Sequence, residues 1–204
     1  MTENQYEGGR TQIGAFVQVI KGVLSPSLCR KIISEYKDDP LFNWAEVTSN
    51  DGTVVDHEHR KVRELYITQP DVWMWSSERI ELARVVDSAA RNALTQYQET
   101  ILNKNVGTFV PHLSGDEGYK LLHYGEGYKF NEHFDDLPDY GRSITCSINL
   151  NSNYEGGKFQ FFGGSYEPEI DQGDAVIFPS NFMFPHAVTE ITSGERYSLI
   201  TWFH

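Results

Sequence analysis

The sequence predicts an α+β protein whose C-terminal half is a β-sandwich or a jelly roll. Two stretches in the first half of the chain show apolar residues at helical spacing. From about Val106, glycines and aromatic residues become frequent, and short β-rich runs alternate with Gly-rich turns. Evenly spaced short strands of this kind are typical of sandwiches and jelly rolls.

The chain has 204 residues, which favours a single domain. We expect a supporting region of strands and helices over residues 13–104 and a β-rich core over residues 105–204. Hydrophobic residues make up 39% of the chain and aromatic residues 13%, enough for a core. There is no apolar run of 18 residues, and the N-terminus has no apolar signal region. We therefore expect no membrane span and a cytoplasmic location.

The charge and the cysteines limit the classes of partner. The net charge of −12 argues against binding nucleic acid through its phosphates. It is compatible with small molecules, neutral peptides or basic proteins, although solubility alone would explain it. Cys29 and Cys146 are far apart in the sequence and fall in predicted core elements, so we expect buried free thiols.

The first half of the chain begins with a predicted strand over residues 15–20. Ser25 and Pro26 are a typical helix N-cap and first helical residue, and the helix should end near Tyr36. A short strand is predicted at residues 65–67, and the longest helix at residues 76–102. The apolar stripe of that helix consists of Ile80, Leu82, Val85, Val86, Ala89, Ala93, Leu94 and Tyr97.

Residues 46–64 are charged and contain the turn signal Asn50-Asp51-Gly52. They form either a long loop or a hairpin with a mobile tip. The composition of this segment is that of an ordinary exposed loop; the alternative, a flap over a substrate, is implied only by the family resemblance given below. His57 and His59 lie within it without a strand pattern around them, so we interpret both as solvated.

In the second half, turn clusters separate six runs with strand character. They are residues 120–124, 143–150, 158–162, 175–178, 186–191 and 196–203. Run 143–150 is polar at its odd positions and apolar at its even positions. Its polar face either meets water, as in many antiparallel sheets, or lines a polar ligand site.

His133-Phe134-Asp135 is the only His-x-Asp in the chain. If this stretch is extended, an imidazole and a carboxylate point to the same face and offer two ligands to a metal. His186 is the candidate for the third ligand of a 2-His-1-carboxylate site. An isolated His-x-Asp is a weak signal, since most such pairs are surface residues.

Arg196 and Ser198 share a face of the last predicted strand. A guanidinium beside a hydroxyl can hold a carboxylate. Taken alone, this pair is better explained by an exposed strand that carries a surface arginine.

Together these motifs resemble the Fe(II)- and 2-oxoglutarate-dependent dioxygenases, most closely the prolyl 4-hydroxylase-like branch. The resemblance covers about residues 106–204 and consists of four motifs in order. They are Gly-x-x-Phe-x-x-His-x-Asp ending at Asp135, Gly-Asp-Ala-Val-Ile-Phe ending at Phe178, His186, and Arg196-x-Ser198.

The resemblance implies a double-stranded β-helix, a jelly roll with iron at its open end. Its cofactors would be Fe(II), 2-oxoglutarate as cosubstrate, O2, and ascorbate as an auxiliary reductant. By the same resemblance, His133, Asp135 and His186 are the catalytic iron ligands, and Arg196 pairs with the distal carboxylate of 2-oxoglutarate. Other expected cosubstrate contacts are Ser198, Tyr124, Thr145 and Asn149.

On the substrate side, the resemblance assigns Arg142 and Trp202 to contacts with a peptide. Phe130 is a departure, because the family usually has a tyrosine there, and the change puts the substrate identity in doubt. The preferred function is hydroxylation of a prolyl residue in a peptide or protein. The alternatives are a hydroxylase of a free amino acid or another small molecule, and a non-oxidative cupin-type protein.

Overall fold

The computed structural model describes residues 13–49, 52–68, 76–102, 113–136 and 141–204. In these residues strands predominate, and two α-helices, α1 (Pro26–Tyr36) and α2 (Ser77–Tyr97), precede most of them. The strands before residue 103 are β1 (Gln18–Ile20), β2 (Asn43–Trp44), β3 (Val47–Ser49), β4 (Gly52–Val54), β5 (Arg60–Lys61) and β6 (Arg63–Tyr66). The later strands are β7 (Lys120–Tyr124), β8 (Lys129–His133), β9 (Ile144–Asn149), β10 (Tyr154–Gly156), β11 (Phe159–Phe161), β12 (Ala175–Pro179), β13 (His186–Val188), β14 (Ile191–Gly194) and β15 (Arg196–Phe203).

The strands form two facing sheets. The larger sheet has seven strands in the order β1-β12-β9-β15-β7-β6-β2, and the smaller has four in the order β11-β13-β8-β5. Two further pairs, β3-β4 and β10-β14, are antiparallel. One apolar core lies between the two sheets, and a second lies between the larger sheet and the helices. The predicted sandwich is therefore confirmed, with the helices packed on its outer side.

Both helices begin as the sequence predicts. The Ser25 hydroxyl accepts a hydrogen bond from the Leu28 amide at 3.3 Å, and Pro26 occupies the first turn. Ser76 caps α2 in the same way, through the Arg79 amide at 3.2 Å. The α-helical part of α2 ends at Tyr97, and a π-helical turn, Gln98–Leu102, completes the predicted length. Neither described helix is long and apolar enough to cross a membrane.

Strand β15 is buried along its whole length, and its two faces meet different cores. Tyr197, Leu199 and Phe203 pack toward the helices. Ile200 and Trp202 pack between the sheets, so Arg196 and Ser198 point the same way by strand alternation. This arrangement confirms the shared face predicted for Arg196, Ser198 and Trp202.

Strand β9 carries its polar face into the interior. Thr145, Ser147 and Asn149 are 0%, 3% and 2% exposed, while the intervening apolar residues pack toward the helices. The explanation that places this face in water is therefore wrong. A buried row of polar side chains needs partners, so this face can serve a polar site.

Several boundaries differ from the prediction. The first strand covers only Gln18–Ile20, and run 186–191 divides into β13, which pairs with β8 and β11, and β14, which pairs with β10. Strands β8, β10 and β14 were not predicted outright, since their short polar sequences lack an alternating apolar pattern. The proposed division at residues 104 and 105 lies outside the described residues.

Residues 46–64 are more ordered than a simple loop. They contain the β3-β4 hairpin and strand β5, although Asn50 and Asp51 at the turn lie outside the described residues.

His57 is exposed, as expected. His59 is partly buried, with its ring centroid 5.9 Å from that of Phe130, so it is less exposed to solvent than predicted.

The two cysteines are buried and form no disulfide. Burial raises the pKa of Cys29 to about 11 and that of Cys146 to about 12. Since the thiolate is the reactive form, neither side chain should react at neutral pH in the folded protein. We expect no alkylation by iodoacetamide under native conditions and two labels per chain in denaturant, measured by mass. Rapid native labelling of Cys146 would contradict its packing in the core.

Candidate active site

Three predicted ligands come together at one end of the sandwich. His133 ends β8, Asp135 follows it by two residues, and His186 begins β13, where it pairs in register with His133. Each offers one ligand atom, and these atoms lie within 4.8 Å of one another. The Nε2 atoms of His133 and His186 are 3.6 and 3.5 Å from the Asp135 carboxylate oxygens.

Backbone carbonyls fix the orientation of both imidazoles. His133 Nδ1 donates to the Asn131 carbonyl at 2.8 Å, and His186 Nδ1 donates to the Phe184 carbonyl at 3.1 Å. A carbonyl only accepts, so the proton is on Nδ1 in each ring. The lone pair is therefore on Nε2, the atom that faces Asp135, as a metal ligand requires.

Asp135 is held by its neighbours on two sides. Its Oδ2 accepts a hydrogen bond from the Thr145 hydroxyl at 2.7 Å, and its amide donates to the Ser180 carbonyl at 3.1 Å. Burial opposes the charge of this carboxyl group, but the two histidines and Thr145 outweigh burial and lower its pKa. Asp135 is therefore ionised at neutral pH.

His186 is neutral at the same pH. Burial lowers its pKa to about 4, against the opposing effect of the Asp135 charge. An ionised carboxylate and a neutral imidazole are the protonation states in which these groups bind metals. The set is two imidazoles and one carboxylate on one side of a small space. That donor set suits Fe(II) with open coordination positions.

Arg196 is a buried cation without a counter-charge among the described residues. It is 3% exposed, its Nη1 donates to the Ser198 hydroxyl at 3.2 Å, and its Nε is buried without a hydrogen-bond partner. The guanidinium lies 5.2 Å from the ring centroid of Tyr124. A buried charge of this kind is costly unless an anion meets it, which favours a bound carboxylate.

A cleft of about 440 Å³ opens beside Arg196. Its wall includes Asn149, Tyr154, the Gly156-Gly157 turn and the segment 167–171. Both glycines have positive φ, and a Cβ on Gly157 would lie 3.1 Å from Arg196 Cδ and 2.4 Å from Ile191 Cδ1. These glycines let the backbone approach the arginine closely.

The other predicted cosubstrate residues differ in their contacts. Tyr124 is buried in the inter-sheet core, and burial raises the pKa of its phenol. Asn149 borders the cleft, but its amide already donates to the Asn151 carbonyl at 2.7 Å and accepts from the Tyr154 hydroxyl at 3.2 Å. Thr145 bonds Asp135, so its observed contact is with the triad. Its predicted role toward the cosubstrate remains a prediction.

Arg142 and Trp202 are in contact, with the guanidinium 3.8 Å from the indole ring centroid. Arg142 also donates to the Asp135 carbonyl at 3.0 Å and to the Glu117 carboxylate at 2.5 and 2.6 Å. The indole N–H of Trp202 is buried without a partner among the described residues. Glu117, Tyr154 and Ser180 also contact the site residues but belong to no sequence motif, so the sequence does not predict them.

Phe130 lies directly against the triad. Its ring stacks on that of His133 with centroids 3.5 Å apart and planes 13° apart. On the same ring, the Arg60 guanidinium lies 4.8 Å from the centroid. The residue that departs from the family pattern is therefore in contact with a predicted metal ligand.

Comparison with known sequences points to one family. Residues 119–204 match the profile of the 2OG-Fe(II) oxygenase superfamily. A PKHD-type hydroxylase of Psychrobacter sp. is 36% identical over 62 residues, which cover 29% of this chain and 23% of that protein. One from Alteromonas mediterranea is 33% identical over 91 residues, covering 39% of each. The matched stretches thus span well under half the length of these relatives.

Solved structures resemble the whole described fold. A Pseudomonas putida prolyl-4-hydroxylase has a TM-score of 0.67 at 23% identity, covering 93% of this chain and 92% of that one. A prolyl hydroxylase from Trichoplax adhaerens, in complex with a hypoxia inducible factor peptide fragment, has a TM-score of 0.72 at 16% identity, with 99% and 94% coverage. These likenesses confirm the predicted jelly roll. The structural likeness concerns the fold, and the likeness to the 2OG-Fe(II) oxygenase superfamily rests on the profile match of residues 119–204.

Proposed function

We propose that this chain is an Fe(II)- and 2-oxoglutarate-dependent hydroxylase that acts on a prolyl residue in a peptide or protein. In this reaction 2-oxoglutarate, O2 and the substrate C–H group give succinate, CO2 and the hydroxylated product. Bound Fe(II) and 2-oxoglutarate would supply the oxidative chemistry, with ascorbate as an auxiliary reductant. The protein supplies binding, orientation and a site shielded from water.

The observation that carries the proposal is the pairing of two incomplete sites, one on each sheet, that face the space between the sheets. The His133, Asp135 and His186 atoms suit a metal, and Arg196 is a buried cation that needs an anion. A dicarboxylate that chelates the metal at one end and pairs with Arg196 at the other would complete both. A cupin-type protein with a metal alone would leave Arg196 uncompensated.

Each residue has a distinct part in this arrangement. His133, Asp135 and His186 would hold Fe(II) through Nε2 and carboxylate atoms, and Thr145 keeps the carboxylate turned toward it. Arg196 would fix the far carboxylate of 2-oxoglutarate, with its own orientation set by Ser198. The buried strands around the site exclude water from the reacting groups.

The prolyl part of the proposal rests on Trp202 and Arg142. Proline has no backbone N–H, so its recognition must use its carbonyl oxygen and the face of its ring. The buried indole N–H of Trp202 has no partner among the described residues, and the Arg142 guanidinium, which pairs with Glu117, lies 3.8 Å from the indole ring centroid. The Trichoplax enzyme, which has the same fold, was solved with a peptide.

Two measurements test the proposal in sequence. Anaerobic protein with Fe(II) and 2-oxoglutarate should develop the weak visible charge-transfer band of a chelated 2-oxo acid; a protein without this site would show none. Succinate release should then accompany a 16 Da mass gain on Pro-containing peptides in assays with ascorbate. Turnover with a free amino acid and with no peptide would overturn the prolyl assignment while leaving the enzyme class intact.

The hairpin region should respond to substrate if it acts as a flap. Residues 52–54 are exposed, and the segment 46–64 lies against β8 through Asn131, which bonds the Glu58 and His59 carbonyls. We expect amide hydrogen exchange in 46–64 to slow when the true substrate is added to the enzyme with metal and 2-oxoglutarate. Exchange that is unchanged by a turned-over substrate would identify the segment as an ordinary exposed loop.

A further inference from the structure

Arg60 joins the hairpin region to the larger sheet. Its Nη1 donates to the Glu46 carbonyl at 2.7 Å, at the base of the β3-β4 hairpin. Its Nη2 donates to the Glu64 carboxylate on β6 at 3.0 Å. The side chains of Arg60 and Glu64 are 12% and 16% exposed, so solvent competes weakly for this pair. The guanidinium therefore holds the base of the hairpin in a defined position.

The same guanidinium lies 4.8 Å from the centroid of Phe130, its register partner on β8. Phe130 in turn stacks on His133. Arg60, Phe130 and His133 form a continuous series of contacts, called here the Arg60 stack. It runs from the hairpin base to a predicted iron ligand.

His133 is the ligand that most needs such support. Its side chain is 15% exposed, whereas those of Asp135 and His186 are 5% and 3% exposed. The bond from Nδ1 to Asn131 opposes rotation of the ring about its Cβ–Cγ bond, and the Phe130 ring stacked on one face restricts its tilt. The Nε of Arg60 is also buried and has no hydrogen-bond partner in the described part of the chain. An unsatisfied buried donor is costly and uncommon, which suggests selection for something other than stability.

We propose that Arg60 is a positioning residue that acts through Phe130 to orient His133 and links this ligand to the position of the β3-β4 hairpin. The inference rests on the proposed function, since it takes His133 as a metal ligand. It gives Phe130 a role that requires an aromatic ring but not the hydroxyl group of a tyrosine. It also means that hairpin movement on substrate binding changes the orientation of one ligand.

The test uses Co(II), which reports the geometry of the site in its visible absorption bands without turnover. Wild-type protein and the R60M variant are each titrated with Co(II) under anaerobic conditions. We expect R60M to bind about 10-fold more weakly, in the range seen when groups supporting a ligand are removed. Its Co(II) bands should shift in position or intensity, and amide exchange in residues 52–54 should accelerate.

Arg63 provides the matched control. It lies close by on β6, with its guanidinium 5.3 Å from the Phe42 ring centroid and a bond from Nη2 to the Phe42 carbonyl at 3.1 Å. R63M removes the same kind of contact away from the triad. It should lower thermal stability about as much as R60M and leave Co(II) affinity and spectrum unchanged.

Two further variants keep the inference testable. R60K retains the charge but not the two-point contact, so it should give an intermediate loss, and it replaces R60M if R60M does not fold. F130L should weaken Co(II) binding. The R60M/F130L double variant should have about the same Co(II) affinity as whichever single variant binds Co(II) less tightly, because both substitutions act through one stack. Wild-type affinity and spectrum in R60M and R60K, or fully additive losses, would overturn the inference. Absence of Co(II) binding by the wild type would instead refute the proposed function.

Discussion

Replacing His186 with alanine should reduce 2-oxoglutarate turnover to the background rate while the protein stays folded. The substitution removes one of three predicted ligands, and a two-ligand site holds Fe(II) poorly. The fold should survive because two apolar cores hold the sheets, with the triad at one end. Asp135→Ala and His133→Ala should have the same effect. Succinate release measures turnover, and circular dichroism checks the fold.

His123 is the control for this prediction. It is a largely buried histidine on β7 that bonds Glu195 at 3.1 Å and stacks on Tyr197, on the helix side of the larger sheet. His123→Ala should lower the melting temperature and leave turnover near that of the wild type. Wild-type turnover in the His186→Ala variant would show that the triad assignment is wrong.

Replacing Arg196 with alanine should weaken 2-oxoglutarate binding strongly and leave metal binding intact. A charge-assisted pair of this kind contributes about 1.5–3 kcal/mol, which corresponds to roughly a 10- to 100-fold rise in the Michaelis constant for 2-oxoglutarate. The metal is held by other residues, so Co(II) affinity should stay at the wild-type value. Titration of the visible band with 2-oxoglutarate gives the binding constant directly.

Two further variants distinguish the effect of the positive charge at residue 196 from the effect of the hydrogen-bond geometry of its side chain. Arg196→Lys keeps the charge and should lose less affinity than Arg196→Ala, although a lysine cannot form the two-point contact. Ser198→Ala removes one hydrogen bond from the guanidinium and should have the smallest effect. If the Michaelis constant for 2-oxoglutarate is unchanged in Arg196→Ala, Arg196 does not contact the cosubstrate.

The sequence predicts the strongly patterned elements well. Strand β15, from Arg196 to Phe203, and helix α1 have the predicted bounds, because burial and capping leave a clear local pattern in each. Strand β8 is harder to predict, because four of its five residues are only partly buried and the fifth is exposed. Its extended form comes from pairing with β13 and β5, which no local pattern shows.

The residues of the candidate site also differ in how well the sequence predicts them. The triad and Arg196 stand at motif spacings, so the sequence identifies them as candidates. The contacts that orient them join distant parts of the chain: Arg142 to Glu117, Thr145 to Ser180, and Arg60 to Phe130. These contacts depend on strand register and on side-chain direction. A single sequence does not reveal either, and tertiary packing decides them.

The Gly156-Gly157 turn has a consequence for engineering the protein toward other oxo acids. A side chain at residue 157 would displace Ile191 and Arg196, and one at residue 156 would collide with the Glu190 carbonyl, where the Cβ would lie 2.0 Å from the oxygen. Libraries that vary these two positions would therefore yield mostly misfolded or inactive clones. If the cleft beside Arg196 binds the cosubstrate, changes that suit other oxo acids are better made in the segment 167–171, whose residues line the cleft and have no positive φ.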